Sequence, residues 1–169
     1  YNTSDALYVG KGLDDLGVYW FEEPIAPEDY EGYKELKNKL KTNIAGGEAE
    51  FTKWGWSHLI QNRCIDIAQP EVCGLGGITE YLKIVAMAQA NFIPVVNHVW
   101  GSALSIAVNL HLLTAMPDMP GGLFPSKPML EFDTTDKNVF ISDLAEEKFD
   151  IFNQVKNNNG FVKTLEGSG

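Results

Sequence analysis

Short apolar runs alternate along this chain with longer stretches in which apolar residues recur three and four positions apart. The runs are GVYWF (17–21), NIAGG (43–47), IDIAQP (65–70), IPVVN (93–97) and PMLEF (128–132), each of a length and composition that predicts a β-strand. Between them, EDYEGYKELKNKLK, TKWGWSHLIQNR, GITEYLKIVAMAQA and GSALSIAVNLHLLTAM predict helices, several with a Ser, Thr or Asp near the start. The opening stretch NTSDALYVGKGLDDLG predicts a further helix, capped by Thr3 or Ser4 and closed by Gly17. One helix followed by regular strand–helix alternation is the pattern of βα units wound about a parallel sheet.

Comparing the strand ends adds chemistry to this pattern. Glu22, Glu48, Glu71, His98 and Glu131 stand at or just beyond the C-terminal ends of the five runs in turn. In a (β/α)₈ barrel the active site forms at that end of the strands, so the five side chains are expected to converge on one mouth. A dinucleotide-binding sheet is the main competitor, but GLGGIT (74–79) lacks the G-x-G-x-x-G spacing. A closed barrel needs about 250 residues and eight strands. The expected fold class is therefore α/β, an incomplete TIM-type (β/α) barrel of about five βα units from its C-terminal part. That barrel is expected over 1–133, with a tail over 134–165 and a cloning scar or flexible end over 166–169.

Composition narrows the function classes. At 169 residues, with 44% hydrophobic and 21% charged, the chain reads as an ordinary soluble domain with a sizeable core. A formal charge of -10 and a pI near 4.6 leave no basic stripe to displace phosphate counterions, which argues against nucleic acid and acidic membranes. Cys64 and Cys73 form neither a metal-type pair nor a disulfide framework, and read as reduced structural thiols. No secretory leader and no apolar run of about 18 residues is seen, so a cytoplasmic protein is expected.

Several carboxylates in one mouth repel one another strongly, and a divalent cation with oxygen ligands, commonly Mg²⁺, relieves that repulsion. WFEEPIAPEDYEGYKELK, AGGEAEF, IAQPEVCGLGGITE, NHVWGSALS and PMLEFD, in this order, resemble the barrel domain of the enolase superfamily in its mandelate racemase/muconate lactonizing branch. The resemblance runs from about Asn2 to Asp133 and implies abstraction of a proton α to a carboxylate, with Mg²⁺ stabilising the enediolate.

Position by position, the resemblance makes Glu22 and Glu48 metal ligands, with Glu23 and Glu50 as supporting or surface groups. His98 becomes the base and Glu71 the carboxylate on its other ring nitrogen, where aspartate is usual in this branch. Glu131 becomes the acid that hydrogen-bonds the substrate carboxylate. A further aspartate ligand, an opposite-face lysine and a capping domain would lie upstream of Tyr1. Asn97, Trp100 and Ser102 are candidate substrate-binding residues, offering an amide, an aromatic wall and a hydroxyl suited to a polyhydroxylated ligand. For Trp100 and Ser102 the alternative is packing under the loop and capping the next helix.

The implied function is an acid-sugar dehydratase or cycloisomerase acting on a small carboxylate. A racemase or epimerase is one alternative, and a non-catalytic fragment or scaffold is another. A Schiff-base aldolase would need a strand-end lysine, which none of the runs supplies. His58 and His111 read as packing or surface residues, and the helix around Trp54 and Trp56 as core. Unpaired sheet edges predict association with another copy or with the missing strands.

Overall fold

The computed structural model describes residues 1–116, 128–133 and 138–143. Of the tail expected over 134–165 only 138–143 fall within this set, and 166–169 lie outside it. The described residues fall into two units, one of residues 1–98 and one of residues 99–116, 128–133 and 138–143.

In the first unit, helix α1 (Thr3–Leu16) leads into a parallel three-stranded sheet of order β1-β2-β3, formed by Trp20–Glu22, Asn43–Gly46 and Ile67–Ala68. Helices α2 (Tyr30–Lys39) and α3 (Thr52–Gln61) make the two crossovers, and α4 (Ile78–Ala90) follows β3. The fourth predicted run joins the sheet through a parallel bridge between Ala68 and Val95. There Ala68 N–H donates to Pro94 O and Val96 N–H to Ala68 O, both at 2.9 Å. Pro94 has no N–H to give, so this pairing cannot extend into a full ladder at its start.

Helix α1 begins one residue earlier than the composition of its first turn suggests. Its cap is Asn2, whose Oδ1 accepts from Asp5 N–H at 2.9 Å. Thr3, one of the two expected caps, instead sends its hydroxyl to Asp29. The far end closes as expected at Gly17, where φ is +67°. Asp29 caps α2 by accepting from Gly32 N–H.

Packing follows the helical spacing of the apolar residues. Tyr33 and Leu36 of α2, Trp56 and Ile60 of α3, and Tyr81 and Ile84 of α4 are all almost fully buried. On the sheet, Trp20, Ala45, Ile67 and Val96 pack together. Glu22 aligns with Ala45, and Ala45 with Ile67, so the end of this apolar face is where Glu22 emerges.

In the second unit, α5 (Ala103–Ala115) is capped by Ser102, the alternative reading of that residue. The short α6 (Phe140–Asp143) brings Ile141 into a cluster with Val99, Ile106 and Leu110. Ile141 falls within the span expected as a tail. The fifth run forms no named strand, although Leu130 and Phe132 pack against this cluster.

Candidate active site

The C-terminal ends of β1, β2 and β3 and of the fourth run carry Glu22, Glu48, Glu71 and His98. His98 is held from two sides. Its Nδ1 lies 2.9 Å from Glu71 Oε2, and its Nε2 lies 3.2 Å from Glu48 Oε2. Glu71 also accepts from Cys73 N–H at 2.8 Å, so its longer side chain is folded back onto its own loop while still reaching the imidazole. Burial pushes the Glu71 carboxyl up, but the hydrogen bonds from His98 and Cys73 outweigh it and hold the carboxyl below its ordinary range.

Glu48 follows two glycines. Gly47 takes φ of +116°, a conformation that favours glycine, and the Trp56 ring occupies the space a Cβ would need. The chain therefore turns sharply out of β2 and aims Glu48 at His98. Glu22 presents Oε2 to two donors, Gln69 Nε2 at 2.8 Å and Trp20 Nε1 at 3.1 Å. Glu23 lies beside them with φ of +36° and with Oε1 buried and unbonded. Burial and then the negative charge of Glu48 raise the Glu23 carboxyl.

The remaining candidates are engaged as follows. Asn97 is completely buried, and its Oδ1 accepts from the Tyr81 hydroxyl of α4. Glu50 accepts from the Tyr30 hydroxyl. In the second unit, Glu131 Oε2 accepts from Val99 N–H at 2.9 Å, and Trp100, 59% exposed, donates from its indole to Asp133. Trp56 is buried but Trp54 is exposed, His58 stacks on Tyr30, and His111 is exposed. Cys64 is buried, whereas Cys73 is exposed, so only the former packs as expected. Sequence reasoning did not single out Gln69, Trp20 or Tyr81. The available signal was a glutamine inside a buried apolar run, two residues before Glu71.

Among the described residues, no group of three or more His, Cys, Asp or Glu side chains is placed to hold a metal ion. The donors still suit Mg²⁺ in kind. Glu22 and Glu48 offer hard carboxylate oxygens, and Glu23 adds a buried oxygen with no hydrogen-bond partner. Mg²⁺ is commonly held by one or two carboxylates, completed by water and substrate.

Comparison with known proteins places this chain in a family. The family model described as enolase C-terminal domain-like matches residues 1–151. A D-galactarolactone cycloisomerase from Agrobacterium fabrum is 33% identical over the whole chain, which spans 43% of that relative's length. The crystal structure of a 3,6-anhydro-D-galactonate cycloisomerase from Zobellia galactanivorans superposes with a TM-score of 0.75 at 33% identity, over 88% of this chain and 41% of the other. An L-talarate dehydratase from Polaromonas, complexed with Mg and L-glucarate, superposes with a TM-score of 0.67 at 26% identity, over 79% and 34%. The chain belongs to the enolase C-terminal domain-like family, within the mandelate racemase/muconate lactonizing branch of the enolase superfamily.

Proposed function

We propose that this chain supplies the base and two metal ligands of a sugar-acid dehydratase or cycloisomerase that removes the proton α to a carboxylate. The observation that carries this reading is the clamp on His98. With Glu71 accepting from Nδ1–H, the lone pair is left on Nε2, the nitrogen that takes the proton. Glu48 beside Nε2 then steadies the imidazolium that results. The names of the relatives support a sugar acid as substrate and elimination or ring opening as the outcome.

Mg²⁺ held by Glu22 and Glu48 would supply Lewis-acid stabilisation of the enediolate. The other steps belong to the protein's own groups. Protonated His98 returns its proton to the departing oxygen, a β-hydroxyl in a dehydratase or a ring oxygen in a cycloisomerase. Glu131, fixed by Val99 N–H, is the acid assigned to the substrate carboxylate. Trp100 offers an exposed ring for stacking, while Asn97 and Ser102 serve as supports through Tyr81 and the α5 cap.

The test is exchange of the substrate α-proton with deuterated solvent in the presence of Mg²⁺, followed by NMR across a panel of aldonates and aldarates. His98→Asn is expected to slow exchange by about 100-fold or more. Exchange at the wild-type rate would remove His98 as the base.

A further inference from the structure

The carboxylate of Glu22 does not stand alone at its strand end. Two donors, the Gln69 amide and the Trp20 indole, converge on the same oxygen, Oε2. Trp20 precedes Glu22 by two residues in β1 and so lies on the same face of the sheet. Gln69 comes from the far side of the sheet, just beyond β3, with β2 lying between. The two side chains can meet because the intervening strand carries Ala45 at the aligned position, a side chain too short to separate them.

Chemistry settles which end of the Gln69 amide faces Glu22. A carboxylate oxygen can only accept, so the NH₂ group must point to it, and Oε1 points away. Gln69 is 2% exposed, and that Oε1 is buried without a hydrogen-bond partner. An unpaired buried acceptor is costly, so the orientation is not one that packing alone would select. Its cost is set against a charge-assisted bond to Glu22, which is stronger than a neutral one.

We infer that Gln69 is a positioning residue for Glu22, holding Oε2 in place with Trp20 so that the other carboxylate oxygen is presented at the mouth. The inference rests on the proposed role of Glu22 as a metal ligand. Outer partners of this kind commonly change metal affinity by about 10- to 100-fold.

The test uses Gln69→Met, which keeps a similar length and removes the donor, with Glu22→Gln as the control. Calorimetric titration with Mg²⁺ alone is expected to show affinity about 10-fold weaker in Gln69→Met, at a melting temperature close to wild type. Wild-type affinity in Gln69→Met, with binding lost in Glu22→Gln, would overturn the inference and leave the metal reading standing. A metal-free readout decides the case in which no variant binds Mg²⁺, an outcome that would count against the metal reading itself. In the ¹⁵N spectrum of the full chain the Gln69 side-chain NH₂ should exchange slowly, and faster in Glu22→Ala. Rapid exchange in the wild type would show that the amide does not hold Glu22.

Discussion

Gly47 decides where Glu48 goes. Its positive φ and its contact with the Trp56 ring together exclude any larger residue without a local shift. Gly47→Ala is expected to lower stability by about 2 kcal/mol in thermal or denaturant unfolding, combining backbone strain with a clash in the core. An unchanged melting temperature would show that the turn can relax. At this scale the strand-end acids and His98 were legible in sequence because each follows an apolar run at regular spacing. Gln69 and Tyr81 were not, since their partners, Glu22 and Asn97, lie across an intervening strand or on a different element. The glutamate at 71, where the resemblance leads one to expect aspartate, also becomes intelligible. The extra methylene is taken up by the bond from Cys73 N–H, and the carboxylate still reaches His98.

The elements are tied together by a few local contacts whose chemistry can be titrated. Asp14, near the end of α1, accepts from Lys41 N–H at 2.9 Å, Thr42 N–H at 2.6 Å and the Thr42 hydroxyl at 2.7 Å, linking that helix to the entrance of β2. Burial is the largest single influence and raises its carboxyl, but the hydrogen bonds from Thr42 and Lys41 together prevail and hold it below the ordinary 3.8. A group depressed in the folded state contributes stability above its unfolded value and loses it as pH falls through the folded value. Asp14→Ala should therefore destabilise the protein by about 1 kcal/mol near neutral pH, discounted for partial exposure. The difference from wild type should close as pH drops below 3.8; a gap that persisted in strong acid would assign the effect to packing. Helices were the most legible elements, because their apolar spacing is repeated over several turns. The strands shrank to two to four residues or to a bridge, since proline and short ladder lengths limit pairing in ways that periodicity does not record.

For the whole molecule, charge and sheet edge pull in opposite directions. Among the described residues β1 pairs on one side only, and Tyr19 beside it is 60% exposed. An unpaired edge invites another strand, while a net charge of -10 keeps copies apart. Sedimentation at low and high salt is expected to show association that increases as screening rises; a monomer at both would count against a reactive edge. The alternation of strands and helices made the α/β class legible from sequence.

The parallel sheet also bears on how the chain reaches its fold. Each pairing, from Trp20 with Asn43 to Ala68 with Val95, joins residues on either side of a helix-bearing segment. Among the described strands no hairpin can form early and template the next, so each helix must close a long loop before its strands gain anything from meeting. Contacts this distant in sequence are made late and slowly, leaving strand edges open in the interval. The topology that places four candidate site residues at neighbouring strand ends thus makes this chain a slow folder, one whose yield should depend on how dilute it is while it folds.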